Sequence, residues 1–152
     1  MPKGFSLVEL ITVLIILGIL AAVATATFRD TGDIQARGYL EDSLSATRYA
    51  QRLAVASGCA VAIEFDGGYA LARETECGSG DFDGGPEVRH PARAEPFAGE
   101  PPRGVEIAVS GPAMVVFDAL GRTPDETTVT ISGGGFNGQF VIHEDTGYVA
   151  RP

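Results

Sequence analysis

Residues 4–28, GFSLVELITVLIILGILAAVATATF, decide how the rest of this chain is read. Between Lys3 and the first carboxylate, Glu9, there is no room for the apolar run and small-residue cleavage site of an ordinary secretory signal. Nineteen uncharged residues, 10–28, then follow without a break. At about 1.5 Å rise per residue such a helix spans roughly 28 Å, close to the ~30 Å hydrocarbon core of a bilayer. The stretch predicts a membrane helix with a carboxylate at its start. A charge in such a segment costs on the order of a few kcal/mol, which makes Glu9 a candidate functional residue. A second reading stays open, in which Glu9 sits at headgroup level and reaches water like any flanking charge.

The order Gly4, Phe5, Ser6, Leu7, Val8, Glu9, Leu10 resembles the class III leader of type IV pilins and pseudopilins. That resemblance implies that a prepilin peptidase cuts after Gly4 and methylates the new N-terminus, Phe5. It also implies that Glu9 neutralises the N-terminal amine of a neighbouring subunit as the helices stack. The N-terminus would stay in the cytoplasm, the helix would cross a bacterial inner membrane once, and the remainder would face the periplasm. The partners implied are other pilin or pseudopilin subunits, the peptidase and an inner-membrane assembly platform. Gly18, Ala22 and Ala26 recur every fourth residue, a row that lets helices approach closely in lipid. Alanine is also common in any helix, so the row has an ordinary explanation too. Many family members carry a proline near the position of Ala26, and this chain does not.

Eleven basic residues stand against twenty acidic ones, for a net charge of −9. Loss of residues 1–4 would remove Lys3, the only lysine, and move that charge from −9 to −10. So acidic a balance argues against DNA and against an anionic membrane surface as partners. Residues 29–152 suffice for one domain with its own core. Residues 29–57 contain no proline and read as an amphipathic continuation of the helix. Leu40, Leu44, Thr47, Gln51, Ala54 and Val55 fall along one side, with Tyr39, Ala46, Tyr49 and Leu53 on the next. Gly32 and Gly38 could bend this helix, and Gly58 is placed to stop it.

After Gly58 the apolar period changes to two. Val61, Ile63 and Phe65, the turn Asp66-Gly67-Gly68, then Tyr69, Leu71 and Arg73 predict a β-hairpin. The only two cysteines, Cys59 and Cys77, flank it. In the oxidising periplasm that the resemblance implies, a disulfide between them is the first expectation, and two free thiols the alternative. Residues 78–104 are rich in glycine, proline and acid and predict a long loop. Within it Asp81 and Asp83 suggest a calcium loop or, more simply, a solvated turn, since the further ligands of an EF-hand are missing. No metal or cofactor is expected. Residues 104–109, 113–118, 127–132, 139–144 and 147–150 read as short strands separated by turn residues.

The fold class is therefore α+β, a long N-terminal helix packed on an antiparallel β domain, as in the type IV pilin-like fold. The expected division is a leader at 1–4, an apolar helix at 5–28, an amphipathic helix at 29–57 and a β-rich domain at 58–152. Residues 50–59, the run V-V-F-D-A-L-G at 115–121 and D-T-G-Y-V at 145–149 are similar to the H-type minor pseudopilins of type II secretion and to the FimT and MSHA-type minor pilins. Enzyme chemistry finds little footing. His90 and His143 lack local partners for a triad or a metal, and neither Ser57 nor Ser110 lies in a nucleophile elbow. Gly133-Gly134-Gly135 is followed by no helix that would make it a phosphate cradle. A structural subunit is expected, with a DNA- or surface-binding minor pilin of a competence or adhesion pilus as the alternative. Secretion, adhesion, motility and DNA uptake all remain open as the process served.

Overall fold

The computed structural model describes residues 6–27 and 31–152, the segment 23–27 by its backbone alone. Two helices, α1 (Leu7–Thr27) and α2 (Thr31–Ser57), precede eight strands. These are β1 (Val61–Glu64), β2 (Tyr69–Arg73), β3 (Ala98–Gly99), β4 (Val105–Ser110), β5 (Met114–Phe117), β6 (Thr127–Gly133), β7 (Phe136–Ile142) and β8 (Val149–Ala150). This is the expected α+β order. The junction at 28–30, across which the helix was expected to run unbroken, lies outside the described residues.

Helix α2 buries Ala36, Leu40, Ser43, Thr47, Ala50 and Ala54, positions that alternate four and three apart and so form one stripe. Small side chains dominate that stripe and let the helix lie close to the strands. Its two hydroxyls find partners within the helix. Ser43 Oγ donates to the Tyr39 carbonyl at 2.9 Å, and Thr47 Oγ1 to the Ser43 carbonyl at 2.8 Å. The stripe ends at Ala54; Val55, expected on the same side, is rotated about 100° onward and is exposed. Gly58 stops the helix as expected, with φ of 69° and its N–H donating to the Ala54 carbonyl at 2.9 Å.

The strands form two antiparallel sheets, ordered β3-β2-β1-β5 and β4-β6-β7-β8. The predicted hairpin is β1 with β2, in the register Val61↔Arg73 to Glu64↔Ala70, and Gly67 supplies the positive φ its turn needs. The turn at Ser110-Gly111-Pro112 behaves differently. It joins β4 to β5 without pairing them, so the chain crosses there from the edge of one sheet to the edge of the other. Gly111 has φ of 115°, and a Cβ on it would overlap the Glu126 carbonyl. The expected loop at 78–104 is mostly irregular but contributes the two-residue β3 beside β2.

Between helix and sheets lie Leu40, Ile63, Phe117, Ile131, Phe140 and Ile142, all fully buried. Phe140 meets Phe65 across the sandwich, with ring centroids 6.2 Å apart. Phe140→Ala is expected to cost about 3–5 kcal/mol of stability. Urea unfolding of the full chain in detergent, followed by near-ultraviolet circular dichroism, checks this. A loss under 1 kcal/mol would mean that this core is not the one holding the domain together.

Candidate functional site

Helix α1 opens where the Ser6 carbonyl accepts the Glu9 N–H at 3.0 Å and the Leu10 N–H at 3.2 Å. Glu9, the only charge in its 21 residues, lies in the first turn, where the helix dipole favours an anion. Thr12 is the next polar residue along the helix, and its hydroxyl donates to the Val8 and Glu9 carbonyls at 3.1 and 2.9 Å. Its polarity is thus satisfied inside the helix, without water. The large side chains from Leu7 to Leu20 are between 46% and 73% exposed, and they point in every direction around the axis. A helix apolar on all sides is stable only when something covers it. The β domain does not supply that cover.

The Glu9 carboxylate is exposed and has no hydrogen-bond or ion-pair partner among the described residues. On the same helix nothing lies within 4 Å of where a Gly18 Cβ would be, so a neighbouring backbone could approach there. Ala22 lies one turn on. The side chain of Ala26, and Gly4 and Phe5 altogether, lie outside the described residues. Among the described residues no helix is long and apolar enough to cross a membrane. The side chains described for α1 stop at Ala22, short of residue 28 where the expected span ends.

At the base of the β1–β2 hairpin Cys59 and Cys77 form a disulfide, with Cα atoms 5.1 Å apart. The free-thiol alternative therefore falls. Beside it stands a residue that sequence reasoning missed. Glu74 is 9% exposed, and its carboxylate accepts the N–H of Gly78 at 2.7 Å, of Gly80 at 3.0 Å and of Ala60 at 3.3 Å. The Gly78 N–H foremost, with Gly80 and Ala60 behind it, holds the carboxyl below its ordinary range against the opposing effect of burial. The available signal was Gly78-x-Gly80 just beyond the glutamate. Both glycines take positive φ and turn their amides toward one point.

The Asp81-x-Asp83 motif is an Asx turn, in which Asp83 N–H donates to Asp81 Oδ1 at 3.0 Å. Among the described residues no three His, Cys, Asp or Glu side chains gather as a metal site. His90 Nδ1 accepts the Ala92 N–H at 3.1 Å and its ring packs on Phe97. His143 lies apart from it, 3.2 Å from Glu126 and stacked on Tyr148.

The family model for the prokaryotic N-terminal methylation motif matches residues 2–25. Among solved structures, the chain is similar to the minor pseudopilin EpsH from the type 2 secretion system of Vibrio cholerae. That likeness has a TM-score of 0.61 at 12% identity and covers 78% of this chain and 96% of that one. It is also similar to the type IV minor pilin FimU of Pseudomonas aeruginosa, with a TM-score of 0.51 at 17% identity over 76% of this chain and 87% of that one. The fold is type IV pilin-like. No curated protein matches the chain.

Because the Glu74 carboxyl is depressed when folded, its contribution to stability is fully present above its ordinary value of 4.5 and is lost as pH falls through the lower folded value. Glu74→Gln is expected to lower the urea midpoint by a constant amount from pH 7 to about 5, with the gap closing below that. A gap that stays constant down to pH 2.5 would refute the account. Reduction of the disulfide should cost about 3 kcal/mol by the same assay.

Proposed function

We propose that this chain is a minor pilin or minor pseudopilin, a structural subunit that joins a filament through α1. The observation that carries the reading is the Glu9 carboxylate, without a partner among the described residues, in the first turn of a helix apolar on every side from Leu7 to Leu20. An anion in that setting is stabilised by a cation delivered into the same apolar surroundings, and the amine of a neighbour's Phe5 answers that need. Removal of residues 1–4 by a prepilin peptidase exposes the amine, and N-methylation of Phe5 keeps it charged. Other copies or related subunits then cover the apolar faces, and Gly18, Ala22 and Ala26 allow close approach.

Before assembly the same helix crosses the inner membrane once, with an inner-membrane platform as the partner that extracts it and the domain from residue 58 on in the periplasm. The match to the N-terminal methylation motif and the likeness to FimU and EpsH both support this reading. A scaffold role needs no catalytic set. The net charge of −9 favours it over a DNA-binding minor pilin.

Glu9→Ala is expected to lower incorporation into sheared filaments roughly tenfold or more, as loss of one partner of a desolvated charge pair does. The mutant should still enter the membrane fraction with its disulfide formed. Incorporation at the wild-type level would overturn the amine-pairing role. For Gly4→Ala, mass spectrometry should find a precursor that retains residues 1–4 and an unmethylated Phe5. Normal processing of that variant would remove Gly4 as the cleavage position.

A further inference from the structure

The outward faces of the two sheets differ. The second sheet presents Thr128, Thr130, Ser132, Asn137 and Gln139, the polar face expected of a solvated antiparallel sheet. The first sheet presents Ala62, Ala70, Ala72, Met114 and Val116, brought together by the registers Ala62↔Ala72, Ala62↔Val116 and Glu64↔Met114. Apart from Glu64, which lies between Ala70 and Met114 at the end of β1, its outer face is apolar and, but for Met114 and Val116, made of the smallest side chains.

The segment 80–87 runs beside β2, where Glu87 bridges Ala72, and forms one side of this floor. Thr75 N–H donates to the Asp81 carbonyl at 2.9 Å, and Arg73 N–H to the Pro86 carbonyl at 3.1 Å. Phe82 and the floor alanines enclose a groove of about 510 Å³, edged by Glu64, Asp81, Asp83 and Glu87, and no basic residue lines it. At Glu64 and Ala70 the groove runs on into a second hollow of about 450 Å³ that Asp66 and Glu100 border, again with no lysine or arginine. The Cys59–Cys77 disulfide and the Glu74 nest hold the base of that side, so the groove is shaped in advance of any occupant.

We propose that this groove docks an extended segment of another protein in which small apolar residues alternate with arginine or lysine. In an extended chain successive side chains point to opposite faces, so the apolar set can rest on the alanine floor while the basic set reaches the acidic edges. The same edges repel nucleic acid and anionic lipid. None of the residues lining the groove lies on α1, so the two roles are tested by separate mutations.

The test is fluorescence anisotropy of a labelled octapeptide, Arg-Val-Arg-Ala-Arg-Val-Arg-Ala, titrated with the full chain in zwitterionic detergent, with empty micelles as the blank. Saturable binding with Kd on the order of micromolar at low salt, weakening as salt rises, is expected. Ala72→Arg should weaken it about tenfold by filling the floor with a like-charged side chain, as should Met114→Arg at a position 45% exposed and tolerant of change. Glu106→Gln, on the second sheet, should leave binding unchanged. Absence of saturable binding overturns the proposal, as does an unchanged Kd in a folded Met114→Arg variant. Equal binding of octaarginine, or of the peptide with glutamine for arginine, overturns it too, since charge alone or apolar contact alone would then suffice. None of these outcomes bears on filament incorporation, which Glu9→Ala reads.

Discussion

The folded domain depends on the burial of one face of α2, centred on a row of mostly small residues and widened by Tyr39, Leu44 and Ala46. Ala36, Leu40, Ser43, Thr47, Ala50 and Ala54 are small enough for the helix to approach both sheets, and α2 touches all eight strands. A few long-range polar bonds then fasten loops to the same helix. Gln51 Nε2 donates to the Gly121 carbonyl at 3.0 Å and the Thr146 carbonyl at 3.2 Å, and Arg48 donates to the Val149 carbonyl at 3.2 Å. Tyr39 Oη reaches the Gly99 carbonyl at 3.1 Å, and Arg151 near the C-terminus pairs with Glu41. Each such bond adds on the order of 1 kcal/mol, so they set positions more than total stability.

The two helices solve opposite problems. Helix α2 buries one broad face, and its own domain covers that face. Helix α1 is apolar on every side and meets no equivalent cover. Lipid and neighbouring helices are the two environments that satisfy such a surface, and under the proposed function the subunit passes from one to the other. In the proposed assembly Glu9 is what distinguishes them, because a carboxylate is tolerated among stacked helices only if a cation arrives with the neighbour.

The disulfide and the Glu74 nest act together at the base of the first hairpin. A covalent bond closes the loop, and three backbone amides on one carboxylate fix the direction in which the chain leaves it. The long acidic segment beyond is thereby held against the outer face of the first sheet. Its turn at Asp81-x-Asp83, read chiefly as a solvated turn and secondarily as a calcium loop, closes on its own backbone amide.

Local chemistry was legible in the amino-acid sequence wherever one residue sets one conformation. The amphipathic period of residues 31–57, the stop at Gly58 and the Asp66-Gly67-Gly68 turn are decided by side-chain spacing and by glycine's access to positive φ. The α+β order followed from the same local reading. Relations between distant segments were not legible. That β4 and β5 belong to different sheets, that Gly78, Gly80 and Ala60 converge on Glu74, and that alanines of β1 and β2 form one floor with Met114 and Val116 of β5 depend on which surfaces meet when the core closes. Those choices are made by burial summed over the whole domain, and no short run of residues contains that sum.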